Sequence, residues 1–170
     1  MTFIQTERLI IRSWQESDAA DLFQLCSVSE LVLDGCRLYS DISETIKDIR
    51  WQMEKNEIFA IIQKESDKLI GYIGFTDMNR YEGYNELDYK ISLEYRNLGY
   101  ATEALRRMLD YAFGDMGLSV VAAWTRSHNA ICAHVLEKCG FTFEGRLRQH
   151  ARDKSDTMCY SMLKEEWEGL

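Results

Sequence analysis

Apolar and polar residues change their period several times along this chain, and each change predicts an element. "RLIIRSW" at residues 8–14 is short and rich in β-branched residues, which predicts a strand. In "ESDAADLFQLC" the apolar side chains of Ala20, Leu22, Phe23, Leu25 and Cys26 fall on one helical face, with Ser17 or Asp18 placed to cap it. "DISETIKDIRWQMEKN" repeats the signal, with Asp41 or Ser43 at the start and Ile46, Ile49 and Met53 at helical spacing. Three β-rich runs follow, "EIFAIIQKE", "KLIGYIGFTDM" and "YNELDYKISLEY", parted by "SD" and "NRYEGY", and they predict an antiparallel meander. Ala101, Ala104, Leu105, Met108, Leu109, Ala112 and Phe113 recur at i, i+3, i+4 and i+7, predicting a helix over residues 100 to about 116. "LSVVAAWTRS" then reads as a strand, "NAICAHVLEKCG" as a helix ended by Gly140, and "FTFEGRLRQHA" with "DTMCYSMLKEEW" as a closing hairpin. The order βααβββαβαββ predicts an α/β fold of the α+β kind, a mixed sheet with helices on its faces.

Nothing along the chain marks a boundary, since repeats, low-complexity tracts and Pro- or Ser-rich linkers are lacking, so residues 1–170 read as one domain. At 170 residues the core can be stable without disulfides or metal. No run approaches the roughly 18 apolar residues of a membrane span. The opening "MTFIQTERLIIR" does not have the layout of a signal peptide, which makes a cytoplasmic location the expectation, with no membrane partner. Five cysteines lack Cys-x-x-Cys or His spacing for zinc, so neither a disulfide framework nor a metal site is expected and most should be buried thiols. A net charge of −8 argues against nucleic acid as a partner and mildly favours a cationic one.

The candidate chemistry lies in "EYRNLGYATEAL", residues 94–105, where a strand passes through a Gly-containing loop into the strongest helix. The first N–H groups of a helix have no intrahelical acceptor, and with the positive end of the helix dipole they suit a phosphate. Gly99 lets backbone come close to a ligand, Ala101 keeps the next turn slim, Thr102 adds a hydroxyl, and Arg96 can add a charge-assisted bond. An isolated Arg-x-x-Gly-x-Ala would more often be a mere turn with a solvated Arg. Neither a Walker loop nor Gly-x-Gly-x-x-Gly is present, which removes two nucleotide-binding classes.

The neighbouring motifs supply the context. Arg96, Asn97, Leu98, Gly99, Tyr100 and Ala101 followed by "TEAL", Asn129 opening the next helix, "VLEKCGF" with Glu144 and Gly145, the start "TERLIIR" and the end "YSMLKEEW" together resemble the GNAT superfamily of acetyl-CoA-dependent N-acetyltransferases, in its RimJ/RimL-type branch. The resemblance covers nearly the whole chain. It implies a mostly antiparallel sheet flanked by helices, with splayed fourth and fifth strands that admit the pantetheine arm of acetyl-CoA, the cosubstrate. The fourth strand would be residues 86–94, with Ile91, Ser92 and Leu93 offering backbone groups to pantetheine. A backbone N–H near Leu93 would stabilise an oxyanion. The amides of Leu98, Gly99, Tyr100, Ala101 and Thr102 would take the pyrophosphate, and Asn129 would bond the cofactor arm. Glu86 matches a position where relatives place a carboxylate, making it the expected base; its alternative is an ordinary solvent-facing strand residue beside Leu87.

Departures from the family pattern also show. The general-acid Tyr of some branches is Leu136 here, so no acid carries over, and Cys132 and His134 stand where relatives often have Ser and Arg. Cys132 could touch the cofactor sulfur or pack as a core thiol. Tyr81, Tyr84, Tyr89 and Trp124 could shape an acceptor pocket, although strand aromatics are more often core. The resemblance implies an amine acceptor, foremost a protein N-terminus and next a small polyamine or aminoglycoside-like amine. It leaves open a homodimer, and also a non-catalytic acyl-CoA sensor.

Overall fold

The computed structural model describes residues 3 to 169. They fall into two compact units, one running through Gly74 and resuming over Tyr89–Ala104, the other made of Phe75–Asp88 and the residues from Leu105 onward.

In the first unit β1 (Phe3–Gln5), β2 (Leu9–Arg12), β3 (Ile58–Gln63) and most of β4 (Lys68–Asp77) pair antiparallel. Every residue of β3 is buried, which is why "IFAII" runs apolar without alternation. The helices are α1 (Ala19–Cys26), α2 (Ser29–Leu33) and α3 (Ile42–Lys55). Trp14, Leu22, Leu25, Leu31, Tyr39, Ile49, Ile58, Ile62 and Tyr72 belong to one buried cluster. Asp41 caps α3 as expected, its carboxylate accepting the Glu44 N–H at 2.8 Å. The expected apolar face of α3 is narrower than its spacing suggests: Ile49 is buried and Ile46 packs partly on the core, but Met53 is 45% exposed. Asp18 does not cap α1. Its two oxygens take both arms of Arg12 at 2.8 Å, and the Gln15 N–H at 2.9 Å, so the carboxylate is spent on tying β2 to the helix start.

In the second unit the strands are β6 (Val120–Arg126), β7 (Thr142–Leu147) and β8 (Thr157–Leu163), with the first half of β5 (Tyr84–Ile91). Strand β5 pairs parallel with β6 from Tyr84↔Val120 to Leu87↔Ala123, while β6–β8 and β7–β8 are antiparallel. Helix α4 (Tyr100–Asp110) continues through one wider turn over Tyr111–Asp115, α5 spans Ala130–Lys138, and α6 spans Lys164–Glu168. Leu105, Met108, Leu109, Ala112 and Phe113 are all buried, as their period requires.

The sheet order is β1-β2-β3-β4-β5-β6-β8-β7, a mixed and mostly antiparallel sheet flanked by helices. The structure adds β1, α2 and α6 to the expected order. The strand expected fourth is β5, and it ends at Ile91 instead of reaching residue 94. Ser92 still donates its N–H to the Ile70 carbonyl at 2.8 Å, after which Leu93–Tyr95 form a single 3₁₀ turn. Leu93 therefore belongs to the loop, not the strand. Among the described residues no helix is long and apolar enough to cross a membrane.

Candidate functional site

The loop into α4 is shaped by two left-handed residues. Arg96 is extended, Asn97 has φ 60° and Gly99 has φ 84°. The Gly99 carbonyl accepts the Glu103 N–H at 3.0 Å, so the helix starts there, and the N–H groups of Tyr100 and Ala101 stand ahead of its hydrogen-bond ladder. Such a start can hold an anion. Asn97, Leu98 and Gly99 are exposed, whereas Tyr100 is buried. A side chain at Gly99 would meet only the Arg8 guanidinium, at 3.3 Å, so glycine serves the positive φ and the approach of that arginine.

Sequence reasoning gave Arg8 no role. The structure lays its guanidinium over the Tyr100 ring, 4.4 Å from the centroid. Its Nε donates to Glu103 at 2.7 Å and one terminal nitrogen to the Leu98 carbonyl at 2.9 Å. Glu103 also accepts the Arg8 backbone N–H at 2.9 Å and the Thr6 hydroxyl. Burial pushes the Glu103 carboxyl up, but the Thr6 and Arg8 hydrogen bonds outweigh it and hold the group below the usual range. The only trace in the sequence was the motif "TERL", and nothing local to it points to a partner in "TEAL". Arg96, expected to bind phosphate, pairs with Asp34 at 3.4 Å. Beside the loop lies a cavity of about 320 Å³ lined by Glu7, Arg8, Gln63, Lys64, Glu65 and Tyr100.

In the second unit Glu86 stands in β5 on the same face as Tyr84 and Asp88, alternating with buried Leu87. It is half-buried. Burial, and secondly the Asp88 carboxylate, push its carboxyl above the usual range against a lowering by Arg80. The expected aromatics are not core: Tyr81 is 57% exposed and Tyr84, Tyr89 and Trp124 are half-buried. Tyr81 and Tyr84 stack obliquely at 5.3 Å, and Trp124 meets His150 edge-on at 5.5 Å.

Asn129 opens α5 as expected, and its amide oxygen accepts the Cys132 N–H at 3.0 Å. With the oxygen spent on the cap, the amide nitrogen is what Asn129 has to give a ligand. Cys132 is half-buried rather than core, His134 is exposed, and Leu136 is fully buried. Ile91, Leu93, Arg96, Asn97, Leu98, Gly99, Tyr100, Ala101 and Thr102 thus form one continuous stretch of the first unit, while Glu86, Asn129 and Cys132 belong to the second.

The fold is that of an acyltransferase class that takes its acyl group from coenzyme A. The chain belongs to the GNAT family: the model of the acetyltransferase (GNAT) domain matches residues 8–142. It is 30% identical to the uncharacterized N-acetyltransferase p20 of Bacillus licheniformis over 179 residues, covering 99% of this chain and all of the other. The crystal structure of a GNAT-family acetyltransferase from Bacillus anthracis superposes with a TM-score of 0.87 at 27% identity, covering 96% of this chain and 99% of that one. Spermidine N-acetyltransferase from Vibrio cholerae, in complex with CoA and spermine, shares the fold with a TM-score of 0.84 at 20% identity, covering 96% and 99%. The protein is an acetyltransferase enzyme that uses acetyl-CoA as donor and an amine as acceptor.

Proposed function

We propose that this enzyme acetylates a protein N-terminal α-amine, as in the RimJ/RimL-type branch, with the α4 loop holding the donor and Glu86 receiving the proton. The observation that carries the donor site is the start of α4: positive φ at Gly99, followed at once by the first turn of a helix, suits a pyrophosphate. Ile91 at the end of β5 and Leu93 in the turn after it would serve the pantetheine amides. Asn129 would donate its amide nitrogen to the donor's arm, with Cys132 beside it on α5.

Acetyl-CoA brings an activated acetyl thioester, so the protein's own task is to deliver a neutral amine. An α-amino group is roughly 10% neutral at pH 7 and a lysine less than about 0.1%. Glu86 suits the deprotonation because burial makes it a stronger base than an exposed carboxylate. The buried Leu136 offers no proton, and a thiolate leaving group of thiol-like pKa tolerates that lack.

A second reading, a small polyamine acceptor, is favoured by Glu86 and Asp88 lying on one strand face, since two carboxylates suit a polycation. An acceptor panel decides between them. Peptides with unblocked N-termini, the same peptides N-formylated, spermidine and an aminoglycoside are compared at saturating acetyl-CoA. The expected outcome is acetylation of the unblocked peptides alone; turnover of spermidine with no peptide reaction would overturn the first reading.

A further inference from the structure

We propose that Arg8 is a positioning residue, which holds the backbone of residues 98–100 in the shape that receives the donor's pyrophosphate. The inference rests on the reading of the loop given above. Residues 97–99 include two positive-φ positions and an exposed Leu98, so apolar burial does little to fix this stretch. Arg8 supplies the missing constraint from three directions: a bond to the Leu98 carbonyl, a bond to Glu103 one turn into α4, and a stack on Tyr100 between them.

The bond to Leu98 has a directional consequence. In a trans peptide the C=O and the following N–H point to opposite sides. Drawing the Leu98 carbonyl toward Arg8 therefore aims the Gly99 N–H away from Arg8. The charge of Arg8 is largely answered by Glu103, which makes orientation of the backbone, and not attraction of the anion, its main effect. Lysine lacks the planar fork that reaches two acceptors while stacked on a ring.

The test compares two donors in the full-length enzyme, acetyl-CoA and S-acetyl-pantetheine, which carries the same thioester without the pyrophosphate. Arg8→Gln should raise KM for acetyl-CoA on the order of 10-fold, leave kcat and the amine KM near wild type, and leave kcat/KM for S-acetyl-pantetheine unchanged. Arg8→Lys should show the same split to a smaller degree, and carries the comparison should Arg8→Gln fail to fold. Equal losses with both donors would mean a general structural role and overturn the inference, as would an unchanged KM or full recovery in Arg8→Lys. A wild-type enzyme that uses both donors with equal kcat/KM would instead overturn the pyrophosphate reading of the loop itself.

Discussion

Glu86 has a carboxyl half-withdrawn from water, with Asp88 on the same strand face, and both facts favour its protonated form. The consequence for stability follows from linkage. The unfolded chain releases this proton near the ordinary 4.5, the folded chain at a higher pH, so stability falls as pH climbs through that interval and is level beyond it. Glu86→Gln should therefore melt higher than wild type at pH 7, with the gap closing as pH drops below about 4.5. Calorimetric scans from pH 4 to 8 read this, and a gap independent of pH would assign it to something other than the carboxyl. In turnover the same variant should lose about 10²-fold in rate, keep its acetyl-CoA affinity, and regain rate at high pH where the amine is neutral unaided. An unchanged rate across pH 6 to 9 would remove Glu86 from the mechanism. Thiol chemistry is also decided residue by residue. Cys26 and Cys36 are buried with their sulfurs 2.7 Å apart, and the contact together with burial pushes the Cys26 thiol up; burial does the same to Cys139. Mass spectrometry after brief alkylation at neutral pH should find Cys132 labelled before these three.

Among elements, α5 separates two jobs of one side chain. Asn129 caps the helix through its oxygen, and its amide nitrogen is the group proposed above to serve the donor. Asn129→Ala should cost about 1 kcal/mol and lower the melting temperature by roughly 2–4 °C, besides weakening acetyl-CoA binding. Asn129→Asp keeps an oxygen cap and loses the amide, so its melting temperature should stay near wild type while binding still weakens; if it binds the donor as tightly as wild type, Asn129 is no more than a cap. Gly99→Val should also weaken binding, since a β-branched residue resists φ 84° and its Cβ crowds Arg8. The start and period of α3 and α4 were legible because a cap or a helix-opening glycine coincided with a long apolar repeat. Five-residue α2 and three-residue β1 are shorter than any period can reveal. The end of β5 was misread because Ile91, Ser92, Leu93 and Glu94 alternate like a strand, while the chain turns there for reasons set by the Ser92 bond to Ile70 and by the left-handed Asn97. Arg8 with Glu103, and Arg96 with Asp34, were beyond reach because each pair joins residues 95 and 62 positions apart.

For the whole molecule, a ligand that binds only the native state stabilises it by mass action. Acetyl-CoA at about 100 times its Kd should raise stability by about 2.7 kcal/mol, a melting shift of several degrees, in wild type and Glu86→Gln alike. A shift confined to wild type would place Glu86 in donor binding. The family and the order of most strands were readable from the chain because motifs and alternating runs survive as local patterns, whereas the distances at which strands approach do not. Two glycines of β4 show what that hides. A methyl group built on Gly71 would stand 2.1 Å from the Lys90 carbonyl oxygen, and one on Gly74 would stand 2.0 Å from that of Glu57. Both obstacles are backbone atoms, which cannot rotate aside. In a library randomised along "KLIGYIGFTD" and selected for activity, the survivors should vary at Lys68 and Thr76 but carry glycine at both of these sites, so that β4 tolerates change at its ends and almost none where it is bare.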